Sequence, residues 1–302
     1  MANIQKFVAM NESIVPLEAA TISVASSAVL YGLSVYSVVF GKMTNDSVLL
    51  FRLSDHLTRM RQSANMIGFG EVGALLEPDK ILNTLKKLNT VNQPVTDQFY
   101  RLAIHATDLV PGIKTSGLTF ALSIFSYDAT NILPQYNARI KTSLWRRTAD
   151  TAIPARAKVN GAYVNSALAK QDALDSGCDD CLFLNQNGYV SELSAANIFF
   201  VKNGSLVTPD TASDILEGIT RRSIIEIATK EGIPVLERKV ALTELYTADE
   251  LFACGTSAFV SPITELDNRL IGDGLPGPET IKLREALKNI QGNPEHSWVT
   301  KI

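Results

Sequence analysis

Apolar residues recur three and four positions apart at Leu57, Met60, Ala64 and Ile67, the spacing of one helical face, and Ser54 just upstream can cap that helix. A second face of this kind, Ile81, Leu85 and Leu88, follows Pro78, whose fixed φ suits a first helical turn. Residues 161–176 read as a helix stopped by Gly177. Residues 219–231 read as a helix that begins after Gly218 and ends before Gly232 and Pro234, and a last helix runs from Pro278 to about Ile290. Between them lie strand-like runs. Ser34–Phe40 is rich in β-branched and aromatic residues, Leu118–Phe125 and Leu251–Val260 read as strands, and Gly188–Phe200 contains another. Asn185-Gln-Asn-Gly188 and Lys202-Asn-Gly204 are hairpin turn signals. The second half therefore reads as a β-rich body with helices around it. Ser126–Pro134, with turn residues and weak periodicity, reads as a linker between two domains.

Composition narrows the class. At 302 residues one hydrophobic core is near its limit, so one large or two smaller domains are expected. An apolar fraction of 46 % excludes disorder, and 28 Lys+Arg against 31 Asp+Glu leave no excess cation for a nucleic-acid partner. Three Cys cannot build a disulfide framework, which points to a reducing, cytoplasmic compartment, and three scattered His leave little for a metal site. Ala19–Gly41 carries no charge and is long enough to span a bilayer. It holds Thr21, Ser23, Ser26, Ser27, Ser34 and Ser37, however, and a buried strand in its second half is the better reading, with no membrane partner. The N-terminus has no secretion signal.

Two motifs invite chemistry and lack its context. Gly68-Phe-Gly-Glu-Val-Gly73 fits the dinucleotide fingerprint, which would make the chain a nicotinamide-dependent dehydrogenase. A helix pattern precedes it and Pro78 follows, so a flexible helix exit is the plainer reading. Cys178-Asp-Asp-Cys181 has only Cys254 as a further thiol, and its acids would raise the thiol pKa.

Other segments carry more. Gly218 opens a helix whose Ile219 and Thr220 amides, with the Thr220 hydroxyl, form a natural phosphate cradle; an ordinary helix start is the bland alternative. Cys254-Gly-Thr-Ser-Ala258 ends a strand with small residues and two hydroxyls. Lys158 lies among small residues with Tyr163 five positions on; partly desolvated, it would serve as a Schiff-base nucleophile, although most lysines are solvated surface charges. Glu192 is a lone carboxylate in a neutral strand, followed by Asn197, and a buried Glu wants a cationic partner such as a protonated ring nitrogen. A phosphate site, a lone Lys and a lone Glu are what pyridoxal phosphate (PLP) requires.

The order A-x-K-x-x-x-x-Y, G-Y-x-S-E-x-x-x-x-N, L-x-G-I-T-R and G-T-x-A resembles the class IV (fold type IV) PLP aminotransferases over nearly the whole chain, from about Tyr31 to Ile290. That resemblance implies an α/β (α+β two-domain) fold. A smaller N-terminal α/β domain would occupy residues 1–125, an interdomain loop 126–136, and a larger pseudo-β-barrel domain 137–302. It implies pyridoxal 5'-phosphate as cofactor, amino acids and 2-oxo acids as substrates, and a homodimer or higher homo-oligomer. Lys158 would carry the cofactor as a Schiff base and move the substrate proton. Glu192 would meet the pyridine nitrogen, and Tyr163 the phenolic oxygen. Arg52, Asn197, Gly218, Ile219, Thr220, Gly255 and Thr256 would complete cofactor binding, and Thr256 and Ser257 would hold the substrate carboxylate.

Within the family, Tyr31 matches the branched-chain aminotransferase pattern Y-G-x-S-V-[FY], Tyr36 is a Tyr where Phe is usual, and Arg101 matches the arginine that receives the distal carboxylate of glutamate. Val38 and Phe40 stand where Gly and a basic residue are usual, which makes the pocket more apolar. The expected activity is transfer from a branched-chain or hydrophobic L-amino acid to 2-oxoglutarate. (R)-amine transamination, D-amino acid transamination and aminodeoxychorismate lyase activity are the alternatives within the family.

Overall fold

The computed structural model describes residues 3–70, 72–109 and 112–302, which form two compact units. The first comprises Met1–Thr130, Ala157–Ala162 and Ile290–Ile302. Its 7-stranded sheet runs in the order Val299–Lys301, Val48–Phe51, Ser34–Met43, Gln98–Ala106, Phe120–Asp128, Phe7–Met10, Ser13–Pro16, with every pairing antiparallel. Alternation gives the sheet two different faces. Val35, Val39, Leu102, Ile104 and Ile124 join one core with Leu57, Met60 and Ala64 of the helix Leu53–Met66 and Ile81, Leu85 and Leu88 of the helix Pro78–Asn92. Tyr36 and Arg101 take the alternate positions and so belong to the opposite face.

Leu57, Met60 and Ala64 of the first predicted face and Ile81, Leu85 and Leu88 of the second are buried, Ile67 is only partly buried at the end of its helix, and Pro78 is the first residue of its helix. Ser54 does not cap. The helix starts one residue before it, at Leu53, and its cap position is Arg52 in the left-handed region (φ 50, ψ 41) with no side-chain cap bond. Ala19–Gly41 is broken into a helix, Ser27–Tyr31, and the strand Ser34–Met43. Among the described residues no helix is long and apolar enough to cross a membrane. The glycine motif leaves a helix through Gly68 and Gly70, both at positive φ, and enters a single 3₁₀ turn, Gly73–Leu76. The preceding strand that a dinucleotide fold requires is replaced by helix.

The second unit comprises Asn131–Arg156 and Tyr163–Asn289. Its 9-stranded sheet runs Val235–Arg238, Ser205–Pro209, Asn197–Lys202, Glu250–Gly255, Phe259–Leu266, Ala138–Thr142, Asp180–Leu184, Val190–Leu193, with Arg269–Leu270 paired on Phe259–Leu266. The sheet curls into a half-barrel, and the end strand Val190–Leu193 comes back beside Asn197–Lys202. Its inside is filled by Ile140, Leu182, Leu193, Ile198, Phe200, Leu251 and Ile263. Both predicted hairpin turns are present. Asn203 and Gly204 are each at positive φ, as a two-residue hairpin of matching twist demands.

Several boundaries differ from the sequence expectation. Gly188–Phe200 holds two strands, Val190–Leu193 and Asn197–Lys202. Leu251–Val260 straddles two antiparallel strands, which turn at Thr256–Ala258 with Phe259 at positive φ. Ser126, Tyr127 and Asp128 remain in the strand Phe120–Asp128, held by pairing to Tyr100, Phe99 and Gln98. Residues 157–162 and 290–302 pack within the first unit.

Candidate active site

In the first unit the Lys158 segment lies along the strand Ser34–Met43. The Tyr36 N–H donates to the Lys158 carbonyl (3.1 Å), Val159 bridges Val35, and the Lys158 N–H donates to Ser63 Oγ (3.1 Å). Such close approach needs glycine. A Cβ on Gly32 would stand 2.8 Å from the Cα of Gly161, and Gly32 has φ 68. The Lys158 Nζ lies 4.7 Å from the centroid of the buried Tyr36 ring, and the Arg101 guanidinium carbon lies 3.7 Å from that centroid. The structure thus brings Lys158, Tyr36 and Arg101 together. Arg101 also donates to Asn160 Oδ1 (2.7 Å). Further along the strand of Arg101, burial and the Arg101 charge push the His105 imidazole down to about 4, so it is neutral at pH 7. Tyr31 ends the helix Ser27–Tyr31 with its ring exposed.

Arg52 is 5 % exposed. Its guanidinium lies 3.6 Å over the Trp298 ring and 3.1 Å from Asp55, and its backbone N–H donates to the Trp298 carbonyl. Left-handed backbone at a residue with a long side chain is uncommon, and here it starts the helix Leu53–Met66. Trp298 lies next to the strand Val299–Lys301, whose pairing with Val48–Phe51 pins it there.

In the second unit Glu192 sits on the strand Val190–Leu193, 5 % exposed. Its carboxylate accepts from Asn197 Nδ2 (2.9 Å) and from the Leu216 N–H (3.2 Å), and pairs with Arg147 Nη2 (2.8 Å). Asn197 also donates to the Leu216 carbonyl (2.9 Å), which fixes its amide. Gly218 follows as the cap of the helix Ile219–Lys230, and no side chain caps that helix. Ile219 and Thr220 are buried in its first turn. Gly255 closes the strand Glu250–Gly255, with Thr256 and Ser257 half-buried in the turn after it. Tyr163 is the first residue of the helix Tyr163–Asp175.

These residues fit PLP. An uncapped helix start offers amides and dipole to a phosphate, and only glycine is tolerated at its cap: a Cβ on Gly218 would meet Asn197 Oδ1 at 2.1 Å. The buried Glu192 carboxylate, oriented by Asn197 and the Leu216 amide and already paired with Arg147, is an acceptor that a cationic ring nitrogen would meet. Sequence reasoning missed Arg147, Asn160 and Trp298. Each acts through a partner far along the chain, and only Asn160 had a visible signal, two residues after Lys158. The free thiols of Cys178 and Cys181 are raised by burial, and that of Cys254 is pushed up to about 12. Among the described residues no group of His, Cys, Asp and Glu could hold a metal ion.

Residues 39–266 match the family model described as amino-transferase class IV. The chain is 38 % identical over 296 residues to the probable branched-chain-amino-acid aminotransferase of Aquifex aeolicus, covering 96 % of this chain and 94 % of that one. It is 33 % identical over 268 residues to the branched-chain-amino-acid aminotransferase of Pseudomonas aeruginosa, covering 88 % and 87 %. The crystal structure of the branched-chain aminotransferase of Thermoproteus uzoniensis with norvaline superposes with TM-score 0.92 at 32 % identity, covering 98 % and 99 %. The branched-chain amino acid aminotransferase of Thermobaculum terrenum in its PLP-form superposes with TM-score 0.90 at 31 % identity, covering 99 % of each chain.

Proposed function

The chain belongs to the class IV amino-transferases and is a PLP-dependent enzyme of fold type IV, and from that premise we propose that it moves the amino group of a branched-chain or other hydrophobic L-amino acid to 2-oxoglutarate. The observation that carries the substrate reading is the Lys158–Tyr36–Arg101 cluster. An amine and an aromatic wall stand beside a half-buried guanidinium that, among the described residues, has no carboxylate partner. Val38 and Phe40 share the strand face of Tyr36 and extend the apolar wall that a hydrophobic side chain would meet.

PLP supplies an electron sink when bound. The residues would then act as follows. Lys158 Nζ holds the cofactor and carries the proton to and from the substrate α-carbon. Glu192, oriented by Asn197 and the Leu216 amide, holds the ring nitrogen in its cationic form, while Tyr163 donates to the phenolic oxygen. Arg52, the Ile219 and Thr220 amides and the Gly255–Thr256 turn hold the phosphate, with Gly218 giving the space. The Thr256–Ser257 turn receives the substrate carboxylate, and Tyr31 and Tyr36 line the side-chain pocket. Arg101 receives the distal carboxylate of the acidic partner. The working form is a homodimer or higher homo-oligomer in the cytoplasm, the location that the free cysteines favour.

A donor screen against 2-oxoglutarate and pyruvate tests this. L-leucine, L-glutamate, D-alanine and (R)-1-phenylethylamine separate the subfamilies. L-leucine with 2-oxoglutarate is expected to be the best pair, and a wide margin for D-alanine or the (R)-amine would overturn the substrate class.

A further inference from the structure

Arg101 is held on two sides. Its guanidinium lies over the Tyr36 ring, and one Nη donates to Asn160 Oδ1 at 2.7 Å. The Asn160 amide is itself fixed, because its Nδ2 donates to Ser34 Oγ at 2.5 Å. Amide orientation is therefore set by the network, with the oxygen toward the cation. Backbone geometry explains why this residue reaches Arg101. Val159 bridges Val35, and Asn160 opens the 3₁₀ turn Asn160–Ala162 that packs against the strand Ser34–Met43. On the neighbouring strand Arg101 pairs with Val38, diagonal to Tyr36 and within reach of a long side chain. The glycine pair Gly32 and Gly161 lets the segment come that close.

We propose that Asn160 is a specificity-determining positioning residue. It fixes the Arg101 guanidinium so that its remaining N–H groups present one edge to the distal carboxylate of an acidic substrate. A neutral acceptor does this without consuming the charge. A carboxylate at position 160 would pair with Arg101 and remove the receptor, and an apolar residue would release the long side chain into many rotamers. His105, on the same strand and neutral at pH 7, leaves the guanidinium as the charge that an acidic side chain meets on that strand face. The inference rests on the assignment of Arg101 made above, and it goes further by naming the residue that sets the preference for acidic over apolar side chains.

The test uses purified holoenzyme as wild type, Asn160→Ala, Asn160→Asp and Arg101→Ala. Single-turnover half-reactions with L-glutamate and with L-leucine are followed by the visible absorbance of the cofactor, and the readout is the glutamate-to-leucine ratio of specificity constants. The ratio is expected to fall about tenfold in Asn160→Ala, chiefly through weaker glutamate binding, and further in Asn160→Asp. Should Asn160→Ala not fold, Asn160→Asp, nearly identical in shape, carries the same prediction. A merely structural role would lower both donors together and leave the ratio unchanged, and that overturns the proposal. If Arg101→Ala lowers the ratio while the Asn160 variants do not, Asn160 loses its role and Arg101 keeps its own. If Arg101→Ala leaves the ratio untouched, or the wild type uses neither donor, the underlying assignment falls too.

Discussion

Gly218→Ala is a small change with a large predicted effect. At φ −67 and ψ 136 the backbone suits alanine, so no conformational strain arises. The cost is a collision: the new Cβ would lie 2.1 Å from Asn197 Oδ1 and 3.3 Å from Arg221 Cβ. Asn197 is buried and cannot tilt away while its Nδ2 donates to the Glu192 carboxylate and to the Leu216 carbonyl, each at 2.9 Å. Relief of the clash breaks those bonds. A bond to a charged acceptor contributes roughly 1.5–3 kcal/mol and a neutral one about 1, so Gly218→Ala should destabilise the protein by about 3 kcal/mol. Asn197→Ala should cost a similar amount. In Gly218→Ala/Asn197→Ala the collision with Oδ1 is gone and only the 3.3 Å approach to Arg221 Cβ remains, so the pair should cost little more than Asn197→Ala alone, a coupling of about 3 kcal/mol. Urea unfolding of the four proteins without added cofactor measures this, through midpoints at constant slope. Additive losses would refute the steric route through Asn197.

Arg147→Ala strips a cation from a carboxylate that is 5 % exposed, and Glu192 keeps its Asn197 and Leu216 donors. Unfolding free energy should fall by roughly 2–4 kcal/mol, and a loss under about 0.5 kcal/mol would show that the pair is energetically idle. His105 carries the pH prediction. Its pKa drops from 6.5 to about 4 on folding, so the unfolded chain binds the proton first. Stability should decline as pH falls from about 6.5 toward 4, by up to about 3 kcal/mol from this group. His105→Gln should reduce that slope when urea midpoints at pH 7 and pH 5 are compared, and an unchanged slope would contradict the assignment. A thiol reagent at pH 8 should label Cys178 first in the native protein, because Cys181 and Cys254 are fully buried, and all three after unfolding. Equal labelling of Cys254 would contradict its burial.

What was legible in the sequence is what depends on near neighbours. The helix faces at Leu57–Ala64 and Ile81–Leu88 follow the helical period, and Asn203-Gly204 follows from the backbone freedom a tight hairpin needs. Register between distant strands has no such local sign. The pairing of Val159 with Val35 and of Val299 with Phe51 carries residues 157–162 and 290–302 into the first unit, although the chain around them belongs to the second. Arg52 as a left-handed cap was equally hidden, since its conformation is imposed by what surrounds it. Among the candidate site residues, Lys158, Glu192 and Gly218 stood out by chemical type and spacing. Their supporting partners Asn160, Arg147 and Trp298 did not, because an asparagine, an arginine or a tryptophan gains meaning only from what the fold sets against it.

The most direct measurement is to trap the cofactor. The purified protein, loaded with PLP, is reduced with borohydride, digested and mapped by mass spectrometry. A phosphopyridoxyl group on Lys158, with the visible band bleached, is the predicted result. A label on another lysine, or none at all, would contradict the assignment of Lys158 as the residue that carries the chemistry.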